Sequence, residues 1–178
     1  MQTIQHDDDC ARYFYDTEFN EDGFSVDLIS IGIVADDGRE YYAVSSEALL
    51  HRANLFVRQH VLPQLPRYGD RAWKDRAVIA DEVRSFLRPR VPGGRVELWA
   101  YYAAYDHLAL CQLYGTMLKF PAHLPKYTSD LKQYSRMLGN PEHPAQGKGE
   151  HDALADARWN KQLYAFLRAQ IPGGGPRP

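Results

Sequence analysis

The stretch Tyr13-Phe14-Tyr15-Asp16-Thr17-Glu18-Phe19 carries two acids one residue apart in an apolar setting. Side chains alternate across a strand, so Asp16 and Glu18 point to one face. A strand this aromatic belongs in a sheet interior, where an unpaired carboxylate is costly. Two adjacent carboxylates also repel, and a divalent cation relieves both. Oxygen-only ligands suit a hard ion such as Mg2+ or Mn2+. Taken alone, the pair fits a strand with a solvated acidic face more readily than a metal site. Two further acids favour the metal. Asp106 follows an aromatic-rich, strand-like segment at residues 96–102 and opens a helical stretch. Asp156 lies one turn into the last helical stretch, among Ala153, Ala155 and Ala157, and small residues let a helix press close to a sheet. Histidine exchanges protons near neutral pH, and His151 stands five positions before Asp156.

The elements that position these residues follow from pattern. Residues 12–19, 28–34 and 40–45 read as strands joined by turns at Asp22-Gly23 and Asp36-Asp37-Gly38-Arg39. The chain therefore opens with an antiparallel three-strand meander. Helices are expected at residues 47–62, ended by Pro63, and at 75–88, ended by Pro89. After a Pro92-Gly93-Gly94 turn come a buried strand and a helix over residues 103–114. A further helix capped by Ser129 or Asp130 runs to about Leu138. Residues 139–149 are the most loop-like of the chain, and the final helix spans residues 151–169. The expected fold is α/β, with a mixed central sheet and helices on both faces. A flexible arm is expected at residues 1–11, one domain at 12–170 and a disordered tail at 171–178.

A chain of 178 residues with a net charge of −2 suits one domain with a real core and does not suit a protein that coats nucleic acid. The charge is uneven. Residues 1–50 hold 12 acids and 2 bases, and residues 51–95 hold 4 acids and 10 bases. An acidic metal-bearing segment beside a basic one suits an anionic substrate, although Arg52, Arg58, Arg84 and Arg88 also fit solvated helix faces. No apolar run approaches the roughly 20 residues of a membrane span, and no apolar signal core opens the chain. Cys10 and Cys111 lack metal-ligand spacing and do not make a disulfide framework, so reduced thiols and a cytoplasmic location are expected.

Asp16-Thr17-Glu18-Phe19, Ala103-Ala104-Tyr105-Asp106 and His151-x4-Asp156 together resemble the three motifs of the histidine-bearing branch of the DEDD exonuclease superfamily, in order and on the expected elements. Arg12-Tyr-Phe-Tyr-Asp-Thr-Glu-Phe, Leu28-Ile-Ser-Ile-Gly, Gly38-Arg-Glu-Tyr-Tyr-Ala-Val-Ser and Ala104-Tyr-Asp-His-Leu-Ala-Leu-Cys-Gln-Leu are similar to the small stand-alone 3′-exoribonuclease AS family. The likeness covers residues 11–168. It implies a ribonuclease H-like fold and a Mg2+-dependent (Mn2+ substituting), dimeric 3′-to-5′ exoribonuclease acting on single-stranded, adenylate-rich RNA ends. Two metal ions about 4 Å apart activate water and steady the leaving oxygen in such sites. On that reading Asp16 bridges both ions, Glu18 and Asp156 complete one shell, Asp106 completes the other, and His151 is the base. A flexible loop lets the base close over substrate. Thr17, Phe19, Tyr102 and Tyr105 are the substrate-binding candidates, with Phe19 and Tyr105 stacking on terminal bases. Tyr102 departs from the superfamily, which often has an asparagine there.

Other residues read more plainly. Asp152 shares a helix face with Asp156 and is the alternative ligand. His107 and His143 fit the surface or the layer behind the site, Asp130 a helix cap, Cys111 the core, and Asp7-Asp8-Asp9 solvent. Three further readings stay open: an exonuclease on single-stranded DNA, a catalytically silent nucleic-acid-binding module, and a structural or interaction protein with coincidental motifs.

Overall fold

In the computed structural model, residues 10–147 and 149–171 are described; the acidic run Asp7-Asp8-Asp9 and the tail from Pro172 lie outside them. Among the described residues, six strands form one mixed sheet. They are β1 (Cys10–Glu21), β2 (Val26–Ala35), β3 (Glu40–Ser45), β4 (Trp73–Lys74), β5 (Arg95–Ala100) and β6 (Ser129–Asp130), in the order β4-β3-β2-β1-β5-β6. The meander β1–β2–β3 is antiparallel, and β5 joins β1 in parallel. Strand β1 begins two residues before the expected start at Arg12, because Cys10 and Ala11 pair with Arg95 and Val96. The two-residue strands β4 and β6 close the edges in parallel with β3 and β5.

Among the described residues, four α-helices flank the sheet: α1 (Arg76–Phe86), α2 (Ala104–Gln112), α3 (Leu131–Met137) and α4 (Ala153–Ala169). The alternation of β1 sorts them. Tyr13 and Tyr15 pack with Ile31, Ile33, Ile79, Val83, Leu98 and Leu110, in the core beneath α1 and α2. The opposite face, with Phe14 against the Tyr164 ring, belongs to α4. Leu163 and Leu167 of α4 meet Leu131 of α3 in a smaller cluster. Among the described residues, no helix is long and apolar enough to cross a membrane.

Residues 47–62 do not form the expected α-helix. The chain makes a 3-10 turn at Leu50–Arg52, a π-helical turn at Val57–Val61 and a 3-10 turn at Leu62–Gln64. Two side chains interrupt the regular ladder. Asn54 Oδ1 accepts from Val57 N at 2.9 Å, and Asn20 Oδ1 accepts from Asn54 N at 2.8 Å. Val57 and Val61 still bury themselves, against Ile29. Ile29 is the extra residue of a β-bulge, since Glu18 pairs with Ser30 and Phe19 with Leu28. Bulges of this kind re-aim side chains beside functional sites.

Candidate active site

Asp16 and Glu18 lie on the α4 face of β1, beyond the stretch where β1 pairs with β5. That pairing ends at Phe14 and Trp99. Strand β5 stops at Ala100, and the chain turns sharply into α2. Tyr102 makes this turn in the left-handed region, at φ 57°. Asp130 holds the turn from below. Its Oδ2 accepts from Ala103 N at 2.8 Å while its Oδ1 caps α3 by accepting from Gln133 N at 2.9 Å. Asp130 is thus the expected cap, and it also steadies the start of α2.

The turn brings Asp106 beside β1. A single oxygen, Asp106 Oδ1, accepts from Thr17 N at 2.8 Å and from Thr17 Oγ1 at 2.7 Å. Thr17 lines the cleft, but its hydroxyl is given to Asp106, which leaves Oδ2 for other work.

Helix α4 supplies the third acid. It starts at Ala153, two residues later than expected, because Asp152 is its N-cap and accepts from Ala155 N at 2.8 Å. That role separates Asp152 from Asp156. Asp156 Oδ1 accepts from the Gln146 amide, and Oδ2 accepts from His151 N at 3.0 Å. Asn160, one turn on, donates to the carbonyl of Tyr15 at 3.0 Å and pins α4 to β1. His151 stands outside the helix at φ 69°.

These elements surround one cleft of about 390 Å³, lined by Asp16, Glu18, Asp106, His151 and Asp156 among others. All nine residues expected at the site line it. Glu18, Asp106 and Asp156 are buried. The ligand atoms of Glu18, His151 and Asp156 lie within 4.8 Å of one another. Phe19 and Tyr105 stack on each other, with centroids 5.3 Å apart and planes 7° from parallel, and make one aromatic wall. Tyr102, 63 % exposed, meets Tyr101 edge-on at 4.7 Å. Gln146, Trp159, Asn160 and Tyr101 also line the cleft and were not legible from residue type. For Gln146, the only signal was a polar side chain in the loop before His151.

The electrostatics are unusual for carboxylates. Burial, then the charges of Asp106, Glu18 and Asp156, push Asp16 well above the ordinary range. Burial and the charges of Asp156 and Asp106 raise Glu18 to about 8. Burial raises Asp106 to about 7 against the opposing bonds from Thr17, and Asp156 to about 6 against those from His151 and Gln146. Among the described residues, no lysine or arginine lines the cleft. Four acids crowded together without a cation form a donor set for hard divalent ions, so the residues present fit the expected metal.

His107, His143 and Cys111 fall where expected. His107 bonds Thr128 at 3.0 Å and His143 bonds Ser135 at 2.7 Å, both away from the carboxylates. Cys111 is buried on α2. Arg58 gives its guanidinium to the carbonyls of Ala53 and His51, and Arg84 pairs loosely with Asp81.

Comparison with known proteins agrees with this geometry. Residues 11–167 match the family described as the 3′-5′ exoribonuclease Rv2179c-like domain. The chain is 51% identical over 164 residues to the 3′-5′ exoribonuclease Rv2179c of Mycobacterium tuberculosis (strain ATCC 25618 / H37Rv), covering 92% of this chain and 96% of that protein. The fold is similar to that of S. pombe Pop2p in its Mg2+- and Mn2+-bound form, with a TM-score of 0.59 at 12% identity, over 93% of this chain and 86% of the other. It is similar also to the nuclease domain of 3′hExo, a DEDDh family member bound to rAMP, with a TM-score of 0.59 at 13% identity, over 94% of each chain. The architecture is that of the ribonuclease H-like exonuclease domains.

Proposed function

The chain belongs to the Rv2179c-like 3′-5′ exoribonuclease family, and from that premise we propose that its cleft hydrolyses single-stranded RNA from the 3′ end, adenylate-rich ends included, releasing nucleoside 5′-monophosphates. The observation that carries this reading is the convergence of Asp16, Glu18, Asp106 and Asp156, all raised in pKa and without a neighbouring cation among the described residues. Asp16, Glu18 and Asp156 would hold one Mg2+, and Asp16 and Asp106 a second; Mn2+ would suit the same oxygen donors. Such ions would neutralise the phosphodiester and make water a better nucleophile.

The chain's own groups do the rest. Thr17 fixes Asp106 with one oxygen turned free. His151, its ring beside Glu18 and Asp156, takes the proton of the attacking water. Phe19 and Tyr105 together offer an exposed aromatic face to one unpaired base, and Tyr102 offers a second. A homodimer and a cytoplasmic location belong to the same reading; two unpaired cysteines are consistent with a reducing compartment.

The test is a degradation assay on 5′-labelled and 3′-labelled RNA, with DNA of the same sequence, in Mg2+ and in EDTA. Stepwise shortening from the 3′ end in Mg2+ alone, abolished by Asp16→Asn, supports the proposal. Faster cutting of DNA moves the substrate class to DNA. RNA binding without cutting in any divalent metal makes the chain a silent binding module.

A further inference from the structure

We propose that Phe56 and His60 are positioning residues for His151. They form a ring rest that holds its imidazole over Glu18 and Asp156. The inference rests on the reading of His151 as the base.

A working histidine is usually oriented by a hydrogen bond to its second ring nitrogen. Among the described residues, the His151 ring has no such partner; its hydrogen bond to Asp156 runs from the main-chain N–H. Its backbone is left-handed and outside helix α4, so no helical neighbour fixes the ring either. Two other rings touch it. Phe56 meets it edge-on with centroids 5.0 Å apart at 84°, and His60 lies at 5.7 Å and 60°. Phe56 and His60 also pack on each other at 4.7 Å, so the three rings form one cluster. Edge-to-face contacts are the favoured arrangement for aromatic rings.

The rest is anchored to the strand that carries the acids. Asn20, two residues beyond Glu18, accepts from Asn54 N and donates to Arg52 O at 3.4 Å. Val57 and Val61 sink into the core on either side of the turn. The turn between them is π-helical, a form that recurs at functional sites. Phe56 is 52 % exposed and His60 is exposed. Exposed rings contribute little to the core, so their replacement leaves the fold standing.

The experiment measures kcat and KM on 5′-labelled RNA for wild type, Phe56→Ala, Phe56→Tyr and His60→Ala, each also in a His151→Ala background. Alongside, the His151 Hε1 NMR resonance is recorded in metal-free protein without RNA. Misplacing a reacting group by about 1 Å costs on the order of 100-fold. Phe56→Ala is expected to lower kcat by roughly 10- to 100-fold, with Phe56→Tyr restoring most of it and His60→Ala losing less. KM is expected to change less than kcat, and the Phe56→Ala loss is expected to vanish when His151 is already alanine. The Hε1 resonance is expected to move in Phe56→Ala as the ring current is lost. An unmoved resonance, a wild-type kcat, a loss confined to KM or a loss that persists without His151 overturns the proposal. If the wild type degrades no RNA, the exonuclease reading fails, and the resonance alone still decides the ring rest.

Discussion

Gly32 lies against the main chain of Ala153 so closely that a Cβ on Gly32 would stand 2.3 Å from the Ala153 carbonyl carbon. Gly32 is also the strand partner of Asp16. The first turn of α4 therefore rests directly on the strand pair that carries the first acid. Ala153 and Ala157 of that helix are fully buried, and Asp156 lies between them in sequence.

Gly32→Ala tests that contact. The obstruction is backbone, which cannot swing aside, so α4 must shift. Overpacking of this kind costs about 1–3 kcal/mol, sometimes more. A loss of ~1 kcal/mol lowers Tm by roughly 2–4 °C in a domain of this size. Activity is expected to fall by at least about 10-fold, because Asp156 moves with the helix. A thermal melt and the RNA assay on one preparation decide it. Wild-type values in both would mean the close approach does not set the site.

Asp16→Asn is expected to separate stability from function. Asp16 is crowded by Asp106, Glu18 and Asp156 and is pushed well above its ordinary range. Removing its carboxyl relieves that penalty in metal-free protein, so stability in EDTA at pH 8 should rise by an amount on the order of 1–3 kcal/mol, and Tm with it. Cleavage should disappear, and Mg2+ should no longer raise Tm. A variant less stable than wild type in EDTA would show that the acids are not mutually strained.

The raised pKa values also fix a pH dependence of stability. Glu18 at about 8, Asp106 at about 7 and Asp156 at about 6 all lie above ordinary carboxylate values. Between about pH 4 and pH 8 the folded chain therefore holds protons that the unfolded chain has released. The share of metal-free stability due to these three groups is fully present below the unfolded pKa values and is lost as pH rises through the folded ones, at about 6, 7 and 8. Divalent ions bind the deprotonated acids, so Mg2+ should stabilise progressively more over the same window. Melts from pH 5 to 8.5, in EDTA and in Mg2+, are expected to diverge as pH rises. Parallel curves would contradict both the shifts and the metal site.

Much of this site was legible in the sequence because its signals are local. The i, i+2 spacing of Asp16 and Glu18 sets their common face whatever surrounds them. The alanines around Asp156 announce a close helix contact, and Asp130 announces a cap. What stayed hidden depends on distant partners. Gly32 looks like an ordinary strand glycine until Ala153 is placed against it. The broken turns at residues 50–64 escape a search for a 3.6-residue period, because π and 3-10 turns do not keep it and because Asn20 reaches in from β1. His151 reads as helical by its neighbours, yet the Asp152 cap leaves it outside α4. Strands β4 and β6, two residues each, are too short to carry a pattern.

Thr17 is expected to meet substrate and lines the cleft, and its hydroxyl also donates to Asp106 Oδ1 at 2.7 Å. Thr17→Val keeps the shape and the main-chain bond while removing the hydroxyl. Losing one hydrogen bond to a charged group costs about 1.5–3 kcal/mol where the acceptor stays buried, and the retained amide bond softens this. The expected result is a kcat lower by roughly 5- to 50-fold, with weaker Mn2+ binding by titration and little change in KM for RNA. Thr17→Ser, which keeps the hydroxyl, should stay within about 3-fold of wild type. If Thr17→Val instead raises KM and leaves Mn2+ affinity unchanged, the hydroxyl serves the RNA and Asp106 is positioned by the main chain alone.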